Sequence, residues 1–268
     1  MRQFSVFMAP LHAFFSRALF RDVGSHWRRV SFVYLLLLLA VCWIPVVAGL
    51  HLKFSEFLDN TASHITQQIP AITIKNGRVS TDVDQPYFIH MEQPERVIAI
   101  IDTTGQITSL EGSSAVLLIT ESQVIERKSD WETRVHNLHE VPQFYLDGPM
   151  VQRWLRLFGT WGIPLLYPVG LAGSYIARLV QVLFYSVVGM IIAKAVRCEL
   201  DYGGILSVAM VAITPAIILK TVFWSTETQL PFAPLIYLAI TTGYLAFGLA
   251  SNRDHSTSDK ALLQDGMP

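Results

Sequence analysis

At 268 residues the chain has room for one large or two small domains, with charged residues at 15%, hydrophobic residues at 51% and a mean hydropathy of +0.40. That balance is too apolar for a water-soluble protein of this size and too polar for one embedded in a membrane throughout. A net charge of -1 gives no global field to draw nucleic acid, and two cysteines, Cys42 and Cys198, exclude a disulfide framework.

The N-terminal stretch, residues 1–29, places Phe4, Phe7, Met8, Leu11, Phe14, Phe15, Ala18 and Leu19 at three- and four-residue spacing, with Arg17 and Arg21 beside them. The spacing predicts an amphipathic helix, starting afresh at Pro10, which suits a first-turn position. Its apolar face serves equally to lie on an anionic inner leaflet or to pack on the ends of other helices.

Residues 30–50, VSFVYLLLLLAVCWIPVVAGL, carry no charge. At 1.5 Å per residue about twenty residues cross roughly 30 Å of hydrocarbon, so this is a transmembrane helix. Arg2, Arg17, Arg21, Arg28 and Arg29 precede it against the single acid Asp22, which places the N-terminus in the cytoplasm. A cleaved signal peptide is the rival, with Val46, Val47 and Ala48 as small residues near its end. The long polar region before the run and the length of the run favour an uncleaved anchor.

Residues 51–157 are expected to form an extracytoplasmic α+β domain. Phe54, Phe57, Leu58, Thr61, Ile65 and Ile69 continue the helical spacing, and Pro70 stops it. Asn76-Gly77 is a strong hairpin signal that would pair Ile74 with Val79. Strands are predicted at Tyr87 to Met91, Arg96 to Ile101, Ala115 to Thr120 and Gln123 to Arg127, with Val97 to Ile101 as a central strand buried on both faces.

Residues 158–250 turn hydrophobic again. Pro164, Pro168, Gly170 and Gly173 argue for starting the second span near Ser174, leaving 158–173 as an interfacial or re-entrant piece. Lys194 and Arg197 mark the cytoplasmic end of that span, Gly203 to Val222 returns outward, and Phe232 to Ala250 comes back before a cytoplasmic polar tail, 251–268. The fold class is therefore an α-helical polytopic membrane protein of about four transmembrane helices with an inserted extracytoplasmic α+β domain. A fifth helix at Leu157 to Tyr175 would reverse the charge bias of Lys194 and Arg197.

Three stretches, FFSRALFRDVGSHWRRVSFVYLLLLLAVCWIP, IPAITIKNGRVS and IIDTTG at Ile100 to Gly105, resemble the bacterial membrane proteins grouped as DUF1189. The resemblance implies an integral protein of the bacterial inner membrane and carries over no catalytic residue, since the family's function is unknown. A more distant likeness to the Yip1-like membrane proteins implies five helices and keeps that count open.

No constellation names a reaction. Asp102-Thr103-Thr104-Gly105 departs from the Asp-Thr-Gly of aspartic proteases by an extra threonine and has no second copy, so it reads as a turn closing a strand. His136, His139 and Glu140 form no metal motif, and no cofactor is implied. Arg178 is the one candidate for a functional intramembrane site: deep and costly if its helix begins near Pro164, near the outer face and free to snorkel if the helix is centred later. Lys220, Gln181 and Thr214 have ordinary explanations as a snorkelling cation and interhelical hydrogen bonds. The expected function is that of a non-enzymatic accessory or sensory component beside a membrane protein partner such as a transporter. A lipid- or solute-handling translocator is the alternative. The expected partners are the bilayer and that protein, with no nucleic acid.

Overall fold

The computed structural model describes residues 3–92, 95–129, 131–228 and 230–253. The tail expected at 251–268 lies outside the described residues from 254 on. The chain divides into two compact units, one formed by residues up to Leu50 and from Pro164 on, the other by His51–Ile163.

In the first, helical unit, α1 (Ala9–His12) and α2 (Arg17–His26) replace the single N-terminal helix expected from the spacing. Ser16 causes the restart: its side chain accepts the Leu19 N–H as an N-cap. α3 (Val30–Phe57) follows, and the later helices are α6 (Ile163–Val196), α7 (Tyr202–Ala212), α8 (Thr214–Ser225) and α9 (Ala233–Ser251). Helix α2 packs on α7 and α9, with Leu19, Phe20, Val23 and Trp27 fully buried in one core with Val208, Leu245 and Leu249. Of the two uses for the N-terminal apolar face, packing on other helices is the one adopted by α2. Phe7 and Phe15 remain exposed.

The loop-side end of this core is organised by Asp22. One of its carboxylate oxygens accepts the backbone N–H groups of Gln3 and Phe4 and the Trp27 indole N–H, the last at 2.9 Å, while the other lies 3.2 Å from His26 Nδ1. Arg28 pairs with Asp201, the N-cap of α7, at 2.8 Å. Hydroxyl and indole groups link α3 to α6: Trp43 donates to Ser174 at 2.8 Å and Tyr167 to the Ala40 carbonyl at 2.9 Å. A side chain at Gly170 would strike the Trp43 ring, its Cβ falling 2.4 Å from a ring carbon.

In the second unit, the π-helical turn Leu58–Ala62 leads from α3 into α4 (Ser63–Gln68), which ends before Pro70 as predicted. A three-stranded antiparallel sheet is built from β1 (Ile72–Lys75), β2 (Arg78–Thr81) and β8 (Gln143–Leu146), with β1 central. Ile74 faces Val79 across the turn, and Asn76 and Gly77 have φ of 51° and 77°, the left-handed pair of a type I′ turn. A five-stranded sheet runs in chain order through β3 (Tyr87–Glu92), β4 (Glu95–Asp102), β5 (Leu117–Thr120), β6 (Gln123–Ser129) and β7 (Glu132–Asn137). All its pairs are antiparallel except β4 with β5.

The parallel pair explains a long connection, since adjacent parallel strands cannot be joined by a tight turn. The connection 103–116 crosses one face of the sheet and brings Leu110 and Ala115 against Ile100, Leu118 and Ile125. On the other face Ile89, Ala99 and Ile101 join Ile72, Ile74 and Val79 of the smaller sheet. Strand β4 is therefore buried on both faces over its second half, as its unbroken apolar run predicts. The unit closes with α5 (Gly148–Leu157), capped by Asp147, and the π-helical turn Phe158–Gly162.

Four helical stretches among the described residues are long and apolar enough to cross a membrane: Val30–Gln68, Gly148–Val196, Tyr202–Ser225 and Ala233–Ser251. The second begins well before Ser174, with Pro168 inside α6. The widened turn just before Pro164 is a recognised way for a helix to take in a proline without ending. The segment 158–173 belongs to this one helical stretch and forms no separate fifth helix.

Candidate functional site

Arg178, Gln181 and Tyr185 recur along one face of α6, where residues three and four apart are neighbours. Facing them are Ala216 and Lys220 of α8 and Tyr237, Leu238 and Thr241 of α9, and together these helices enclose a cavity of about 580 Å³. Arg178 Nη1 donates to the Gln181 amide oxygen, which orients the guanidinium along its own helix. Among the described residues no carboxylate pairs with Arg178 or Lys220, and no acid lines the cavity. Tyr185 and Thr241 are buried, and the Thr241 hydroxyl has no hydrogen-bond partner among the described residues. Such a group costs free energy unless something pairs with it. Two cations, an amide and hydroxyls set among aliphatic walls make an environment for an anion that carries apolar surface.

Of the polar residues singled out in the sequence, Arg178, Gln181 and Lys220 come together here. Thr214 does not, because its hydroxyl meets Tyr34 at 2.7 Å. Thr241 was missed. Its signal was the four-residue step from Tyr237, which puts two polar groups on one face of a mostly apolar helix.

A second concavity lies on the sheet unit, about 660 Å³, lined by Leu110, Ser113, Ile125, Arg127, Trp131 and Val135 among others. Arg127 donates to the carbonyl oxygens of Leu110 and Ser113, the latter at 2.7 Å, and so ties the 103–116 connection to β6. Trp131 is 96% exposed beside it, and every residue of β7 is exposed.

Asp102 is a turn residue. It is buried, and its carboxylate accepts the backbone N–H of Thr104 at 2.9 Å together with the Thr104 hydroxyl and the Ile107 N–H, while Gly105 takes a φ of 82°. Burial alone would raise its pKa, but the hydrogen bonds from Thr104, Ile107 and Gln106 outweigh that and hold the carboxyl below its usual value. His136 lies 3.5 Å from Glu126, and no cluster of three metal-ligating side chains occurs among the described residues.

Fold and cavities define a two-unit chain: a helical bundle with four candidate membrane spans and a polar-lined cavity, and a separate unit of two β-sheets. The family described as "Protein of unknown function (DUF1189)" matches residues 7–249, and the chain belongs to it. No curated protein and no solved structure matches the chain.

Proposed function

We propose that this protein is a non-enzymatic accessory or sensory component of a bacterial envelope complex. Four membrane-spanning helices hold it in the inner membrane with both termini cytoplasmic, and the sheet unit faces outward to engage a protein partner. The arginines before Val30 and the pair Lys194 and Arg197 support that orientation.

The observation that carries the partner reading is Trp131. A fully exposed tryptophan beside a concave surface and an arginine has the composition of an interaction hot spot, where Trp, Tyr and Arg supply most of the binding energy. Placing a photo-crosslinking residue at Val135 in the full-length protein in native membranes tests it. One adduct of defined mass is expected, absent with the crosslinker at Ser80 and lost on Trp131→Ala. Equal adducts at Val135 and Ser80, or none, would overturn the reading. Handling of a lipid or solute by the bundle is the second reading, and the cavity around Arg178 favours it.

A further inference from the structure

We propose that the cavity between α6, α8 and α9 binds the phosphate-bearing headgroup of an anionic lipid. This inference is independent of the role assigned to Trp131, since it concerns other residues in the other unit.

Three features point to an anion. Among the described residues, Arg178 and Lys220 line one cavity with no acid in its lining, and neither has a carboxylate partner. A guanidinium placed among apolar helices is costly, and a bound anion offsets that cost through charge-assisted hydrogen bonds. Thr241 also lines this cavity, and its buried hydroxyl lacks a hydrogen-bond partner among the described residues.

Two features point to an amphiphile. Much of the remaining wall is aliphatic, from Ile213, Ala216, Ala233 and Pro234, and Leu235 and Leu238, at 62% and 45% exposure, carry that apolar surface from the cavity to the outside of the bundle, where an acyl chain can lie. The cavity also sits at the right level. Lys220 is five residues before the end of α8 at Ser225, and Tyr237 and Thr241 lie within the first nine residues of α9, which begins at Ala233. At 1.5 Å per residue that is on the order of 6 to 12 Å from the ends of these helices. For a helix spanning roughly 30 Å of hydrocarbon this is the zone within reach of lipid headgroups through long cationic side chains.

Phosphate chemistry is shared by a lipid headgroup and free phosphate, and the test separates them. Full-length protein released from neutral detergent is examined by native mass spectrometry after incubation with equal amounts of phosphatidylglycerol and phosphatidylcholine, with and without inorganic phosphate. One retained phosphatidylglycerol is expected, preferred by about tenfold, the effect of a charge-assisted contact. The Arg178→Gln, Lys220→Gln double variant should lose the preference and Lys220→Arg should keep it. Lys220 is exposed, so Lys220→Gln alone tests the site even if the double variant does not fold, and it should cut the preference severalfold. Equal retention of phosphatidylcholine, or an unchanged preference in Lys220→Gln, would overturn the proposal. So would displacement of the lipid by inorganic phosphate at comparable concentration, which would assign the site to the free ion.

Discussion

The hydroxyl of Tyr34 lies 2.7 Å from that of Thr214, and both side chains are buried. Thr214 is the first residue of α8, at the break where α7 ends. The bond therefore joins the second turn of α3 to the interruption in the third candidate span. Tyr34→Phe leaves the Thr214 hydroxyl without this partner and should destabilise the full-length protein by about 1–2 kcal/mol. Adding Thr214→Val should recover part of the loss. Thermal unfolding in detergent measures both, and an unchanged midpoint in Tyr34→Phe would remove the bond from the account of stability.

Gly77 meets two constraints at once. Its φ of 77° suits glycine, and a Cβ there would fall 2.8 Å from the Cα of His139 and 3.0 Å from the Leu138 carbonyl oxygen. Gly77→Val should therefore open the β1–β2 turn, because a β-branched residue resists positive φ and backbone atoms cannot move aside like a flexible side chain. Faster amide exchange is expected in Lys75 and Arg78, the pair that flanks the turn, measured in the full-length protein. Protection equal to the unaltered chain would contradict the hairpin's role.

The Asp102 turn gives the sheet unit an acid sensitivity of predictable sign. Its folded-state pKa is lowered, so its stabilising contribution is complete above the ordinary carboxylate value near 4 and disappears as pH falls through the lower folded value. Asp102→Asn should remove this part of the pH dependence, and Asp102→Ala should cost about 2 kcal/mol through lost hydrogen bonds. Proteolysis within 103–116, followed between pH 6 and about 3, reads the loosening of the connection that covers Ile100 and Leu118.

Topology is tested by impermeant thiol labelling in a variant whose Cys42 and Cys198 have been replaced. A cysteine at Ser80 should label in intact cells and one at Ser256 should not. Labelling at Ser256 would contradict four membrane crossings with cytoplasmic ends.

Residues close in sequence decided much of this protein. The uncharged run from Val30, the hairpin at Asn76-Gly77, the stop at Pro70 and the turn at Asp102 were legible because each rests on local backbone chemistry or on a short period of apolar residues. Strand β7 is not legible in the sequence, because Glu132, Arg134 and His136 alternate with Thr133, Val135 and Asn137, and the single apolar Val135 does not mark a face; pairing with β6 defines it. Local rules also misjudged Pro164 and Pro168, since a widened turn absorbs what a proline removes from a regular helix. Tertiary structure alone put the N-terminal Phe20 and Trp27 inside the bundle and brought Arg178, Lys220 and Thr241 to one cavity. Those residues lie on three helices, and no period within one segment records which face another segment will meet. That is settled by packing, and through packing the chain acquires a site where its sequence presents only scattered polar residues.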